Sequence, residues 1–445
     1  MVTNLTELNP RNTLWKFCLP MFISVMFQQF YNIADSMIAG RFAGEDALAA
    51  VGASYPITVI FMAFAVGSNL GVSVVVSRLF GAEDYEQMKS AIYTSFLSVG
   101  VLSIALTIIG IIFCKPMMIL IHTPQNILDD GVLFLKIYIY GLIFLFLYNV
   151  CTGIFTALGD SKTPLYFLIA SSVGNIILDY IFVALFHMGV SGVAYATFIA
   201  QGISAVLSLI TLVNRIKGIS SKPHTAIFST LLLTQIAIIA IPSIMQQSII
   251  SVGNLFVQEI VNRYGSAVVA GYSASIKMNT FAINCFMALG SCLSSYTAQN
   301  LGAKRPERLP LGFKEGVRLS IIASIPFFIA YFFFGKNIMG MFLTSDSSKA
   351  IECGVEFLRI VAPMYFFVSI KLMTDGIIRG SGAMIYFVIA TIPDLILRIV
   401  FANIFTKYFG STGIWIAWPF GWWSAIILTM IFYRRIITGK FKIYK

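Results

Sequence analysis

Two polar side chains lie one helical turn apart in a stretch of sequence that is otherwise almost entirely apolar. Asn175 and Asp179 belong to the segment Gly174–Phe182, which reads GNIILDYIF and contains no Lys or Arg. A carboxylate at the centre of a membrane helix costs about 2.5–3.5 kcal/mol even on the lenient insertion scale, so such residues mark ion or substrate pathways by default. The pair is therefore a candidate for function.

Further oxygen-bearing side chains accompany this pair in the first half of the chain. In FQQFYNIADSMIAG, Gln28, Asn32 and Asp35 follow at i, i+4 and i+7, which places them on one helix face. Thr197 adds a hydroxyl eighteen residues after Asp179. Hard cations prefer oxygen ligands, and two carboxylates in a low dielectric also favour uptake of a proton. We predict a coupling site for Na⁺ or H⁺ at Asp35, Asn175, Asp179 and Thr197; the alternative is a buried polar network that ties helices together.

The composition of the chain indicates the elements that carry these residues. Of its 445 residues 58% are hydrophobic and 11% are charged, whereas a soluble domain carries about 25% charged residues. Apolar runs long enough to cross a membrane recur throughout, so we predict an all-α polytopic membrane protein. The twelve predicted spans are 14–40, 48–79, 90–114, 131–157, 164–187, 191–214, 229–262, 268–300, 316–343, 354–380, 384–408 and 412–437.

The distribution of basic residues predicts the orientation. With both termini inside, and residues near span ends counted with the adjacent loop, nineteen Lys and Arg residues, Arg379 among them, are assigned to cytoplasmic segments, eight to outer segments and three to the membrane interior. This bias favours cytoplasmic termini in a multi-pass protein of the cell membrane. The net charge of +11 is then explained by basic loops, and we expect no nucleic-acid partner.

The chain contains an internal repeat. GEDALAAVGAS at 44–54 aligns with GSAVVAGYSAS at 265–275, and VSGVAYA at 190–196 with STGIWIA at 411–417, each at an offset of 221 residues. Six spans per copy give both copies the same orientation, so a pseudo-two-fold axis along the membrane normal relates them, as in transporters with parallel repeats. We predict an N-terminal lobe over 1–214, a cytoplasmic linker over 215–228 and a C-terminal lobe over 229–445, with a central cleft.

The second copy carries charges of both signs at the positions that match the candidate site. GNIILDYI at 174–181 aligns with PDLILRIV at 393–400, so that Asp394 matches Asn175 and Arg398 matches Asp179. An acid and a base at i and i+4 of one helix are expected to compensate each other. We infer that the second copy has neutralised what the first keeps as a cation site.

Other polar residues of the second half are candidates for the substrate cleft, together with Gln28, Asn32 and the Asp394–Arg398 pair. Lys371 and Asp375 form a second acid–base pair at i and i+4, and Lys277 faces either the cleft or Asp375. A stripe at i, i+4, i+7 and i+11 lines the cleft or joins helices; it consists of Gln247, Ser251, Asn254 and Gln258.

Motifs for catalysis or nucleotide binding are not found in the sequence. GDSKTP at 159–164 lacks the spacing of a phosphate-binding loop and is better interpreted as a cytoplasmic turn. No hydrolase, metalloprotease or dinucleotide-binding motif occurs. We therefore expect no enzyme activity and no cofactor, and an ion gradient as the source of energy.

The quoted segments, with NIADSMIAGRFAGEDALAAVGAS and LFGAEDYEQMKSA, resemble the multidrug and toxic compound extrusion (MATE) family over essentially the whole chain. The resemblance implies a cation site in the N-terminal lobe whose residues match Asp35, Asn175, Asp179 and Thr197. Pro20 resembles the proline at which the first helix is proposed to bend in the DinF-like branch. The chain departs from NorM-like members, whose second-lobe acids align near Ser251 and Val368, and so is closer to DinF or MepA.

The resemblance implies an efflux antiporter that exports organic, often cationic and amphipathic, compounds in exchange for Na⁺ or H⁺. Its partners would be small-molecule substrates and the lipid bilayer, and a monomer is the default expectation. The alternative is a flippase for lipids or lipid-linked precursors in the same wider superfamily. Such a flippase is expected to carry several cationic groups in its cleft, whereas only Lys277, Lys371 and Arg398 are predicted to lie deep within the membrane here.

Overall fold

A computed structural model describes residues 4–7, 9–38, 42, 45–219, 226–343 and 348–439 of the chain. Side chains are described for the same residues except 34–38 and 45–48. The described residues form helices joined by short turns, with no strand among them. The α-helices are α1 Pro10–Ile38, α2 Glu45–Gly81, α3 Tyr85–Leu120, α4 Gln125–Tyr140, α5 Leu142–Ala157, α6 Lys162–Asp179, α7 Gly189–Lys217, α8 Thr230–Asn262, α9 Ser266–Gly302, α10 Arg308–Phe333, α11 Gly335–Gly340, α12 Ser348–Val361, α13 Tyr365–Gly380, α14 Met384–Phe409 and α15 Thr412–Ile437.

The predicted fold class, an all-α polytopic membrane protein, is confirmed. Within the described residues ten helical segments are long and apolar enough to span a membrane, and the pair α4 and α5 makes an eleventh with a bend of 46°. α1 coincides with the remaining predicted span. Large apolar side chains remain exposed along these helices, as at Ile112 and Ile177. That exposure is expected where lipid replaces water as the solvent.

Four predicted spans do not run as a single α-helix. In each, the α-helix breaks or changes to another helix type at an identifiable residue. Gly141 separates α4 from α5, because glycine disfavours the helix interior. Pro363 cannot donate a backbone hydrogen bond and lies in a 3₁₀ turn, Ala362–Met364, between α12 and α13. α6 passes into a π-helix, Tyr180–Leu185, and Phe334 separates α10 from α11.

The chain forms two compact units. The first consists of Met1–Asn4 and Leu19–Ile244, and the second of Leu5–Cys18 and Met245–Lys445. In the first unit α2 packs against α3, α4 and α5, and α6 packs against α7. In the second unit α9 packs against α12 and α13, and α14 against α15. The lobe boundaries that the sequence suggests at 214 and 229 stay a prediction.

Candidate functional site

The candidate cation site is built around α6. Asn175 and Asp179 are 2% and 1% exposed, so the helix buries the face that carries both. The side-chain oxygen and nitrogen of Asn175 find no hydrogen-bond partner among the described residues. Leaving such a group unsatisfied costs about 1–3 kcal/mol. A native protein that keeps it in place therefore needs a reason, and a ligand position is one such reason.

The helix changes type directly after Asp179. Residues Tyr180–Leu185 form a π-helix, and the N–H of Phe186 donates to the carbonyl of Ile181 at 3.0 Å, which closes an i to i+5 ring. Short π-helical segments inside α-helices frequently occur at functional sites. The span predicted over 164–187 is present as one helical segment, Lys162–Leu185, but the apolar sequence YIFVAL gives no signal for the change of helix type within it.

Thr197 lies on α7, which packs against α6. Its half-buried side chain borders a small cavity of about 10 Å³ between α4 and α7, which is room for about one water molecule. Tyr138 and Gln201 are polar neighbours in the same cavity wall. The Tyr138 hydroxyl donates to the carbonyl of Thr58 at 3.4 Å. The sequence analysis missed both neighbours, because a single Tyr or Gln in an apolar helix carries no motif.

The helix-1 candidates are only partly described. The side chain of Asp35 lies outside the described residues, so its place beside α6 stays a prediction. Gln28 and Asn32 are both exposed on α1. They therefore lie on the open side of this helix, and a role in binding stays a prediction for both.

The two acid–base pairs predicted in the second unit are present. The Arg398 guanidinium lies 2.7 Å from Asp394, between Nη2 and Oδ1. Lys371 Nζ lies 2.7 Å from Oδ2 of Asp375. Both carboxyl groups are buried, so each acid is compensated one helical turn away on its own helix.

Lys277 is not the partner of Asp375. Asp375 pairs with Lys371, and Lys277 is exposed on α9. Lys277 forms no ion pair with any acidic residue that the structure describes. Of the two orientations that the sequence left open, the contact with Asp375 is therefore excluded as an ion pair.

The Asp394–Arg398 pair extends to a third residue. The Arg398 guanidinium carbon lies 4.1 Å from the ring centre of Trp418 on α15, a cation–π geometry. Trp418 is the residue that matches Thr197 at the repeat offset of 221. Arg398, which matches Asp179, thus contacts both of the residues that match Asn175 and Thr197.

The polar stripe of α8 is half-buried. The Ser251 hydroxyl donates to the carbonyl of Gln247 at 2.9 Å, and the Gln258 amide donates to Asn262 at 2.8 Å. The Asn254 carbonyl oxygen finds no partner within the described part of the chain. Two of the four side chains therefore satisfy themselves within the helix, and Asn254 is the one with unused hydrogen-bonding capacity.

A partly buried ion pair in the first unit joins the C-terminal end of α7 to the turn between α5 and α6. Arg215 Nη2, at the end of α7, lies 2.7 Å from Oδ2 of Asp160, and the same carboxylate accepts hydrogen bonds from the backbone and hydroxyl of Thr163. Gly159 in this turn has φ +75°, a conformation that favours glycine. The segment GDSKTP is thus a turn, as the sequence indicates.

The fold and the buried polar pair define a membrane transporter built from two copies of one helical unit. The MatE family model matches residues 20–181 and again residues 242–404. The two matches begin 222 residues apart and together cover well over half of the chain. The chain therefore belongs to the MATE family, and the internal repeat is confirmed.

Several named proteins are similar to the chain over most of its length. "Probable multidrug resistance protein YpnP" of Bacillus subtilis is 27% identical over 443 residues, which are 99% of this chain and 98% of that protein. "FAD transporter" of Shewanella oneidensis is 24% identical over 332 residues, 73% of each chain. A crystal structure of MATE in complex with MaL6 superposes with a TM-score of 0.93 at 22% identity, covering 98% of both chains.

Proposed function

We propose that the chain is a secondary active antiporter that exports organic compounds from the cell in exchange for Na⁺ or H⁺. It is a member of a family of transporters, and relatives that cover nearly its whole length carry names of multidrug resistance proteins. These names do not favour the flippase alternative. We extend the proposal to a single chain in the cell membrane with both termini in the cytoplasm, working without cofactor or catalysis.

The observation that carries the proposal is the buried pair on α6. Asn175 and Asp179 are almost inaccessible, lie on a helix that is apolar enough to span a membrane, and precede a π-helix. A buried carboxylate beside an amide with unused hydrogen-bonding capacity is a set of oxygen ligands for a small cation. The same carboxylate can take a proton instead, and this exclusive choice is what an antiporter needs.

The second unit supports the inclusion of Thr197 in this site. Its matching positions, 398 and 418, are joined by the stacking of Arg398 on Trp418. Because the two units are copies, the positions of Asp179 and Thr197 are expected to face each other in the same way. Asp35 completes the proposed set from α1. The polar residues of the second unit, Asn254 and Lys277 among them, are proposed to contact the transported compound.

The proposal is tested by transport in proteoliposomes under an imposed Na⁺ gradient and then an imposed H⁺ gradient. Export of ethidium and of FAD is followed in parallel, because one relative is named as an FAD transporter. We expect Asp35→Asn or Asp179→Asn to abolish ion-driven export, a loss of at least about 100-fold, while the protein still inserts.

Asp129→Asn provides the matched control. Asp129 undergoes the same chemical change, but its side chain is 94% exposed and its ion pair with Lys115 is long, at 3.9 Å. We expect the wild-type export rate from this variant. Normal export by both Asp35→Asn and Asp179→Asn would contradict the proposed cation site, and an absence of export by the wild-type chain under both gradients would contradict the antiporter.

A further inference from the structure

Two helices belong to both compact units, and they are the first helices of the two repeats. α1 lies in the second unit up to Cys18 and in the first from Leu19 onward. α8 lies in the first unit up to Ile244 and in the second from Met245 onward. Each repeat thus begins its first helix inside the unit that is otherwise built from the other repeat. The family match begins only at 20 and at 242, after most of each exchanged segment.

The exchanged segment of α1 is fixed by a polar notch, which we define as Gln299, Asn300 and Arg305. The Leu5 N–H donates to Oε1 of Gln299 at 3.2 Å, and Nδ2 of Asn300 donates to the Leu5 carbonyl at 3.3 Å. Nη1 of Arg305 donates to the Thr6 carbonyl at 2.8 Å. The notch therefore holds the backbone on both sides of the Leu5–Thr6 bond.

The fixed segment continues into the start of α1. Leu14 and Phe17 are at most 1% exposed, whereas Leu19 is 50% exposed. Leu14 and Phe17, before the change of unit, are therefore buried in the second unit, whereas Leu19, just after it, is open. Pro20 follows directly. It lacks an N–H and so removes the hydrogen bond to the carbonyl of Lys16, which leaves the helix able to bend just beyond its buried part.

α8 repeats this arrangement. Gly67 and Gly71 of α2 lie so close to α8 that an added Cβ would collide with Ile244 and with the backbone of Ile236. Pro242, which matches Pro20 in the repeat, lies close to the change of unit. Both exchanged segments are thus tightly held towards the N-terminus of the helix, with a proline close to the point where each helix passes into the other unit.

The C-terminal parts of the same helices lead to the two matched polar pairs. Phe42, which follows α1, packs edge to face on Tyr180 at 5.9 Å between ring centres, and Tyr180 is the residue after Asp179. On α8, Gly253 approaches Leu395 closely, and Leu395 is the residue after Asp394. Each crossing helix therefore connects an anchor in one unit with the polar pair of the other.

We propose that the notch of Gln299, Asn300 and Arg305, with Leu5 and Thr6 in it, is a permanent anchor for α1 that transport requires and folding does not. Because the N-terminal end of α1 is fixed in the second unit, α1 transmits a conformational change beside Asp179 to that unit. Without the anchor, the same conformational change only displaces the N-terminal segment of α1, and ion binding is no longer coupled to export. The transport readout of this inference rests on the proposed efflux function.

The first test removes the anchor. In the double variant Asn300→Ala/Arg305→Ala, two of the three side-chain contacts to the segment are lost. We expect normal insertion and binding of ethidium, but export slowed about tenfold or more, because a conformational step is impaired. Lys304→Ala is the matched control, since it removes a neighbouring exposed cation and is expected to export at the wild-type rate. Unchanged export by the double variant would overturn the proposal.

The second test restores the anchor by a covalent bridge. Cysteines at the exposed positions 7 and 305 (E7C/R305C) are added to Asn300→Ala and joined with a short bifunctional maleimide; the six native cysteines are buried. We expect bridging to return export to within about twofold of wild type, whereas N-ethylmaleimide, which blocks thiols without joining them, does not. If the bridge in otherwise wild-type protein stops export, the segment must leave the notch during turnover, and a permanent anchor is excluded.

Hydrogen exchange separates this inference from the efflux proposal. The amides of residues 9–18 are expected to exchange faster in Asn300→Ala/Arg305→Ala than in wild type, and unchanged exchange would show that the notch does not hold the segment. This measurement needs no transported compound. If wild-type protein exports neither ethidium nor FAD, the efflux proposal fails, while exchange at 9–18 still decides whether the notch fixes α1.

Discussion

Helices α6 and α14 occupy matching places in the two repeats, but they differ in the charged side chains that they bury. α14 carries Asp394 and Arg398 one turn apart, joined at 2.7 Å. α6 carries Asn175 and Asp179 at the same positions, with no Lys or Arg in the segment Gly174–Phe182. The second copy thus supplies its own counter-charge on the same helix, whereas we propose that the first copy receives a cation from outside.

The backbone follows the same division. α14 runs as a regular α-helix from Met384 to Phe409, whereas α6 gives way to a π-helix at Tyr180. A salt bridge within a helix needs the regular spacing of four residues, which a π-helical turn disturbs. The copy with the internal pair has kept its helical register, and the copy with the candidate ion site has lost it immediately beyond the carboxylate.

The third matched position sharpens the contrast. Trp418 covers the guanidinium of Arg398 at 4.1 Å, while Thr197 borders a cavity with room for about one water molecule. The indole ring of Trp418 covers a cation that belongs to the protein, whereas the Thr197 hydroxyl borders a small cavity. The two repeats thus place different side chains at three matched positions, and we propose that this difference separates a structural ion pair from a coupling site.

The largest effect is expected when α6 is given the two matching residues of α14. In Asn175→Asp/Asp179→Arg the guanidinium occupies the proposed ion position and the new aspartate compensates it. We expect normal insertion, because the pair is matched as it is in α14, and export at the leak rate, because no cation can bind. Export of ethidium and the amount of inserted protein are the measurements.

The single variant Asp179→Arg is the control for this exchange. It places a guanidinium in the buried position without an acid, and removal of one partner of a buried pair typically costs about 3–5 kcal/mol. We therefore expect little inserted protein. Ion-driven export that persists in the double variant would show that Asp179 is not the coupling carboxylate.

The fold and the charged pairs could largely be predicted from the sequence. The apolar runs placed the spans to within a few residues, as for 229–262 against Thr230–Asn262. The spacing of Asp394 and Arg398, and that of Lys371 and Asp375, predicted two ion pairs that are present. Such predictions succeed because both the membrane and the helical period act on residues that are near in sequence.

Features that depend on contacts distant in sequence were not predictable in this way. The π-helix after Asp179 arises within an apolar run, and the notch for Leu5 is formed almost three hundred residues later in the chain. Arg379, assigned to the cytoplasmic segments by its charge, is buried and lies over Phe387 at 5.5 Å. Neither the periodicity nor the composition of a sequence predicts which side chains that are distant in the chain will pack against each other.

Breaking the pair of α14 is expected to affect stability instead of coupling. Arg398→Ala leaves Asp394 buried without a cation, and we expect a loss of about 3–5 kcal/mol in the free energy of unfolding. Asp394→Leu/Arg398→Met removes both charges and is expected to change this free energy by about 1 kcal/mol or less. Chemical denaturation in detergent micelles measures both. Equal losses in the two variants would refute the role of the pair as mutual compensation.

The smallest expected effect concerns the ring that covers Arg398. Trp418→Phe keeps an aromatic face but weakens the cation–π contact, which is worth about 0.5–2 kcal/mol in total. The indole N–H of Trp418 finds no hydrogen-bond partner among the described residues, so its removal offsets part of the loss. We expect a decrease of about 0.5–1 kcal/mol in the same denaturation measurement, with ion-driven export unchanged. A loss as large as that of Arg398→Ala, or a change in export, would mean that Trp418 does more than cover a fixed charge, and the contrast with Thr197 would no longer hold.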